Sequence, residues 1–262
     1  MGFLPKWRIH KSTGEHHIVD VSEKDGVRSM HLGSETVQSS MRISAPDDLE
    51  LSYTRSMMGF LLFHPEPRHV LMLGLGGGSL AKFIYRKLLT THTTVVELNQ
   101  QVITAAHAYF MLPPNDSRLS VEIGEGGAYV AAHPESSDVL IVDGFDGTAQ
   151  PESLSTPTFY DNCATALTDN GVLAVNLWGS DKRFGVYLDR INVSFNGRVL
   201  CLPAERRGNI IVLGLKKSPG EPRWSELREH AKKLHAAYGL DFIKFTEALK
   251  LMNVCTEKRL II

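Results

Sequence analysis

Cysteine is scarce: the 262 residues hold three, Cys163, Cys201 and Cys255. They stand far apart and match neither a disulfide framework nor a metal-ligand spacing. The expectation is three buried, reduced thiols in a cytoplasmic protein, with no metal. Long apolar runs are missing too. The longest, 57–63 and 70–75, fall far short of the roughly 20 residues that cross a bilayer. Residues 1–8 lack the apolar run and small-residue cleavage site of a secretory leader. Charge of one sign is also absent, since 28 Lys and Arg stand against 29 Asp and Glu, a net charge of -1. No global field draws such a chain onto nucleic acid or an anionic membrane, so neither is expected as a partner. No internal repeat and no low-complexity tract occurs.

What remains is ordinary globular composition, 43% apolar and 22% charged, at a length that admits one large α/β domain with an appendage or two smaller ones. Residues 16–45 read as short strands. Runs at 17–21 and 27–32 flank Glu23-Lys24-Asp25-Gly26, and an Asp-Gly pair between part-apolar runs is a hairpin signal. This small β module, residues 1–66, ends at His64-Pro65-Glu66-Pro67, where two prolines break any regular element.

From residue 67 to 262 strands and helices alternate. Strands are expected at 70–73, 93–98, 119–123, 138–142 and 172–175, and helices at 80–88, 102–110 and 156–167, the last ending before Asp169-Asn170-Gly171. That order argues for a doubly wound open sheet. Strands at 198–202 and 209–215 are too closely joined for a parallel crossover and suit an antiparallel hairpin at the sheet edge. Two amphipathic helices close the chain, carrying Trp224, Leu227, Ala231, Leu234 and Tyr238, then Phe242, Phe245, Leu249 and Met252. Their apolar faces are expected on the body or on another subunit.

Three segments carry chemistry. Gly74-Leu75-Gly76-Gly77-Gly78-Ser79 follows the first buried strand and opens a helix, where glycines let a ligand approach the backbone. The dinucleotide fingerprint wants a sixth-position Gly, and Ser79 stands there instead. Glu97 ends the second strand, where a carboxylate can accept from both ribose hydroxyls. Glu125, before Gly126, ends the third, where it can take the exocyclic amine of adenine. Acceptors at successive strand ends fit an adenosyl thioether or sulfonium better than a pyrophosphate, which wants donors. After the fourth strand comes Asp143-Gly144-Phe145-Asp146. Paired acids at the binding edge suit a cationic amine, one holding an ammonium and one receiving a proton.

The block from Asp143 to Tyr160, with Asp143, Asp146, Glu152-Ser153-Leu154, Thr156 and Phe159-Tyr160 in register, resembles the polyamine aminopropyltransferases, the spermidine synthase family. The resemblance takes in the glycine turn, Glu97, Glu125-Gly126 (usually Asp-Gly in the family), Gln38, and Tyr53 as the tyrosine of a Tyr-His-Glu segment. It implies a small N-terminal β-hairpin domain before a Rossmann-like sheet of the class I methyltransferase type, and a homodimer or homotetramer. It further implies transfer of the aminopropyl group of decarboxylated S-adenosylmethionine to putrescine or a related amine, leaving 5′-methylthioadenosine. By motif, Asp143 is the acid-base residue and Asp146 holds the diamine. Glu97 takes the ribose, Glu125 the adenine amine, and Gln38 the ribose or the methionine-derived portion. Tyr53, Gly74, Gly76, Gly77, Gly78, Ser79 and Gly126 complete the nucleoside site.

Three departures from the family pattern bear on the reaction. Ser79 replaces an Asp that pairs with the aminopropyl ammonium and would repel the carboxylate of intact S-adenosylmethionine. Thr54 replaces the histidine after Tyr53. Pro203-Ala204-Glu205-Arg206-Arg207-Gly208 replaces aromatic residues of the polyamine tunnel and sets two arginines near it. Two other functions therefore stay open: an S-adenosylmethionine-dependent methyltransferase, which Ser79 favours, and a nucleoside-binding protein without turnover, which the altered acceptor region favours.

Overall fold

Asp25 and Gly26 both have positive φ, 53° and 74°, the backbone of a two-residue hairpin turn. They join β2 (Val19–Lys24) to β3 (Val27–Leu32), and with β1 (Trp7–Ser12) and β4 (Val37–Arg42) these form an antiparallel sheet in order β1-β2-β3-β4. β1 lies outside the expected strands. Its apolar residues Trp7 and Ile9 stay exposed on the edge, so it carries no burial pattern to read. The computed structural model describes residues 7–12, 18–144, 151–204 and 208–262.

After α1 (Ser52–Met57) and a 3-10 turn (Met58–Leu62) comes a seven-stranded sheet. Its strands are β5 (His69–Leu73), β6 (His92–Glu97), β7 (Leu119–Ile123), β8 (Ser137–Val142), β9 (Leu167–Trp178), β10 (Val199–Pro203) and β11 (Asn209–Leu215), in order β10-β11-β9-β8-β5-β6-β7. β5 to β9 run parallel; β11 lies antiparallel to both β9 and β10, so the edge hairpin is present as expected. Val70 and Met72 of β5 pack into one core and Leu71 and Leu73 into the other, which is why the strand reads as a solid apolar run. Strand order reverses at β5, whose neighbours are β6 and β8. The crevice at such a reversal is where open α/β sheets bind ligands.

The crossovers carry α2 (Ser79–Lys87), α3 (Gln100–Tyr109), α4 (Gly126–Ala132), α5 (Pro157–Ala166) and α6 (Phe184–Ser194). The sequence gives little sign of α4 and α6, because α4 buries Val130 alone and α6 only Tyr187 and Ile191. β9 also runs through Asp169-Asn170-Gly171, although the strand is expected only from 172. The register slips there, Ser137 facing Leu167 but Val139 facing Val172, so the three residues form an irregularity inside the strand. α7 (Trp224–Tyr238) and α8 (Phe242–Leu249) lay their apolar faces on the body of the same chain, both on the 3-10 turn and α8 also on β10. Cys163 and Cys201 are buried, and burial pushes the Cys201 thiol up to about 11. Cys255 is exposed, contrary to expectation, because it follows α8 in a bridge to Leu260 at the surface. Among the described residues no helix is long and apolar enough to cross a membrane.

The two sheets are joined through α2. Buried Lys82 donates from Nζ to the carbonyls of Pro46 and Phe110, both at 2.7 Å, and touches Met41 Sδ at 3.1 Å. Burial lowers its ammonium to about 8, while Asp47 acts in the opposite direction. Lys82→Met removes the donor from both carbonyls and should cost about 1–3 kcal/mol at neutral pH. Because the unfolded lysine keeps its proton up to about 10.5 and the folded one only to about 8, the unfolded state binds more protons between those values. The stability advantage of the wild type over the variant should therefore grow across that window in denaturant titrations, and a constant gap would contradict the assignment.

Candidate active site

The glycine turn and the end of β8 meet at the strand reversal. The Asp143 N–H donates to the Leu73 carbonyl at 3.0 Å, and the Gly74 N–H to Val96 at 2.9 Å. Gly74 has φ of 95°, and a Cβ there would lie 2.5 Å from the Asp143 carbonyl oxygen, so only glycine lets the two strand ends approach. Gly77 is fixed by packing, since its Cβ would lie 2.7 Å from the Phe110 ring and 2.8 Å from Ser39 Oγ of β4. Above these residues opens a cleft of about 920 Å³, walled by β4, α1, the turn with Gly74, Gly76 and Ser79, and the ends of β6, β8, β9 and β11.

Glu97 stands at one end. Its Oε2 accepts the Leu75 N–H of the turn and its Oε1 the Asn99 N–H, both at 2.9 Å. Burial pushes this carboxyl up, while the N–H groups of Asn99, Leu75 and Leu98 hold it down. A carboxylate offers about four acceptor sites, so two bonds to the backbone leave capacity for ribose hydroxyls. Val96, Leu98 and Val102 give apolar surface beside it on which a base can lie. Glu125 and Gly126 line the same end. The Glu125 carboxylate caps α4, accepting from the Gly127 N–H at 3.0 Å and the Ala128 N–H at 2.6 Å, which fixes its position at the cleft rim.

Asp143 stands in the floor. Asn176 Nδ2 donates to its Oδ1 at 2.9 Å and the Tyr53 hydroxyl to its Oδ2 at 3.2 Å. Tyr53 is also 3.2 Å from the Gln38 carbonyl, so α1, β4 and β8 meet at one phenol. Burial pushes the Asp143 carboxyl up, and the two donors hold it down. Burial, and then the neighbouring Asp143 charge, push Tyr53 well above the usual phenol range. Asp146, Arg206 and Arg207 lie outside the described residues.

Ser79 faces β4, where its hydroxyl lies 3.3 Å from both the Ser40 carbonyl and Ser39 Oγ. The N-cap of α2 is Gly78, so the Ser79 hydroxyl bonds across to the N-terminal sheet rather than capping its own helix. Thr54 is buried with its hydroxyl on the Leu51 carbonyl at 2.7 Å. Among the cleft residues that carry no sequence signal of a site, Asn176, Asn209 and Trp178 bear most on its chemistry. Asn176 is 3% exposed inside the apolar run 172–177, and a lone amide in a buried strand is the signal that could have found it. Trp178 packs on Gly208, where a Cβ would lie 2.7 Å from the indole. β9 therefore supplies an aromatic wall that the residues after Pro203 lack.

The sheet order, with its reversed edge hairpin and a cleft at the β5–β8 reversal, is that of the class I methyltransferase-like proteins. Human methyltransferase-like protein 13, solved with SAH, superposes with a TM-score of 0.63 at 23% identity, covering 72% of this chain and 93% of that one. Spermidine synthase from Thermotoga maritima superposes at 0.71 with 20% identity, covering 94% and 88%. A spermidine synthase in complex with the transition-state analogue AdoDATO also superposes at 0.71, with 22% identity, covering 94% and 89%. Residues 50–177 match the spermine/spermidine synthase domain. The polyamine aminopropyltransferases of Chromobacterium violaceum and Neisseria meningitidis serogroup A are each 42% identical, the first over 93% of this chain and 94% of its own length, the second over 95% of both. The chain belongs to the spermine/spermidine synthase family, the polyamine aminopropyltransferases, as its motifs led one to expect.

Proposed function

We propose that this protein moves the aminopropyl group of decarboxylated S-adenosylmethionine onto a di- or polyamine and releases 5′-methylthioadenosine. The observation that carries the proposal is the placing of Asp143 between Tyr53 and Asn176 in the floor of the cleft that Glu97 also lines. The amine nitrogen attacks the aminopropyl carbon next to sulfur, forming a C–N bond as the C–S bond breaks. The C–S electron pair goes to sulfur, leaving a neutral thioether, and Asp143 takes the proton from nitrogen. An exposed carboxylate and an alkylammonium differ by about six pKa units. Burial raises Asp143 and lowers an ammonium bound beside it, which narrows that gap.

In this reading Glu97 accepts from the ribose hydroxyls, Glu125 from the adenine amine, and Gln38 meets the ribose or the chain beyond it. Gly74, Gly76 and Gly126 let the nucleoside lie close to the backbone, while Gly77 and Gly78 shape the turn from behind, packed on Phe110 and Leu112. Tyr53 holds Asp143, Asp146 takes the far ammonium, and the Trp178 ring offers it a cation–π surface. The N-terminal module, residues 1–66, contributes Gln38 and Tyr53 and so forms one wall of the site.

Ser79 sets the choice of sulfonium. A neutral hydroxyl neither attracts the aminopropyl ammonium nor repels an amino-acid carboxylate, so the protein should discriminate poorly between decarboxylated and intact S-adenosylmethionine. A unit charge pair near 4 Å is worth about 4 kcal/mol at partly screened distances before desolvation. Ser79→Asp should therefore prefer the decarboxylated compound about tenfold or more in calorimetric titrations, even after desolvation. Equal affinity ratios in the two proteins would reject this reading of Ser79.

Product identification by mass spectrometry tests the reaction. With decarboxylated S-adenosylmethionine and putrescine, the amine should gain one aminopropyl group. A methylated acceptor formed from intact S-adenosylmethionine would mean a methyltransferase, and binding without product a nucleoside-binding protein.

A further inference from the structure

Asn176 and Asn209 lie on one face of the antiparallel pair β9–β11, since Asn176 pairs with Ile211 and Trp178 with Asn209. Asn209 Nδ2 donates to Asn176 Oδ1 at 2.9 Å, and Asn176 Nδ2 donates to Asp143 Oδ1 at 2.9 Å. An ionised carboxylate can only accept, so a useful partner must present N–H to it. An asparagine can turn either end of its amide toward that carboxylate, and the two ends act in opposite directions: N–H favours the ionised form, a carbonyl oxygen the protonated form. We propose that Asn209 is a positioning residue which, by donating to Asn176 Oδ1, fixes the amide of Asn176 so that it always meets Asp143 with its donor end. The proposal rests on the reading of Asp143 as the proton acceptor.

Asn209 is the second link of a directed chain that ends on the base. Tyr53, from α1, has one hydroxyl proton to share between the other carboxylate oxygen and the Gln38 carbonyl, each 3.2 Å away, so Asn176 is the amide donor on which Asn209 acts. The remaining ionisable groups that line the cleft among the described residues are Glu50, Arg55, Glu97 and Glu125. None of them is hydrogen-bonded to Asn176 or Asn209, so the polarity of the chain is set within the two amides.

Two substitutions act on that polarity in different ways. Asn209→Leu removes the donor and frees the Asn176 amide. Asn209→Asp puts an acceptor where the donor stood, which turns the Asn176 amide over to satisfy it and aims Oδ1 at Asp143. The ionisation of Asp143 is read on the resting protein by carbon-13 NMR of carboxyl-labelled aspartate, its signal assigned by loss in Asp143→Asn. Its midpoint should move up by about half a pH unit in Asn209→Leu and by about one or more in Asn209→Asp. In an Asn176→Ala background, Asn209→Leu should no longer move it, because the link is gone. Turnover should follow: on the acidic limb of its pH profile kcat falls about threefold in Asn209→Leu and about tenfold or more in Asn209→Asp, and both recover as pH rises above the midpoint. The KM for the sulfonium stays unchanged, and methylthioadenosine affinity reports an intact cleft. A midpoint that does not move, or that moves equally with and without Asn176, overturns the proposal. Because the midpoint is read without turnover, failure of aminopropyl transfer in the wild type would overturn the reaction and leave this result standing on its own.

Discussion

Asp143→Asn lowers aminopropyl transfer on the order of 10²-fold or more, the loss expected when a positioned base is removed. Shape survives the change. The asparagine can turn its oxygen to the Asn176 amide and its nitrogen to the Tyr53 oxygen, with the Tyr53 hydroxyl donating to the Gln38 carbonyl 3.2 Å away. Methylthioadenosine should therefore bind the variant as it binds the wild type. The pH profile gives an independent sign. Wild-type turnover needs the ionised carboxylate, so it falls as pH drops through the value of Asp143, which burial raises above the ordinary one. That acidic limb should vanish in the variant. Stability should move the other way. The folded Asp143 holds its proton to higher pH than the unfolded one, so between those values stability is lost as pH rises, and at neutral pH the ionised group is a net cost. Asp143→Asn should melt at the same temperature or higher when scanned at neutral pH. Full activity in this variant would remove Asp143 from its role.

Glu97→Ala weakens methylthioadenosine binding by roughly 1.5–3 kcal/mol, the range for hydrogen bonds to a charged group. Two causes act together. The ribose hydroxyls lose their acceptor, and the Leu75 and Asn99 N–H groups, each 2.9 Å from a Glu97 oxygen, lose theirs, which loosens the glycine turn at the nucleoside. A thermal scan without ligand measures the second cause alone. If calorimetry gives an unchanged dissociation constant, Glu97 does not belong to the site.

The elements differ in how plainly the sequence marks them, according to the physical signal each leaves. β5 was legible because both its faces are buried, and the β2–β3 hairpin because Asp25-Gly26 is one of few pairs that adopt two positive φ angles. Glu97 and Asp143 were legible because a carboxylate at the end of a buried strand has few structural uses. The glycines of the turn were read as making room for a ligand, yet part of their cause is local: Gly77 makes room for Phe110 and Ser39, and Gly74 for the Asp143 backbone. Such contacts join residues far apart in sequence and leave no periodic trace. Asn209 gave no sign for the same reason, since its partner Asn176 lies 33 residues away and only strand register joins them. Trp178 lies beyond the strand expected at 172–175 and carries no signal of its own there; the antiparallel β11 sets it beside Gly208 at the cleft.

The most direct test is a time course of 5′-methylthioadenosine and the new polyamine, measured together after decarboxylated S-adenosylmethionine is mixed with the protein, first without and then with putrescine. Aminopropyl transfer predicts no release until the amine is added, and afterwards one methylthioadenosine for each spermidine formed. Release at the same rate without amine, or no spermidine while the sulfonium is bound, would contradict it.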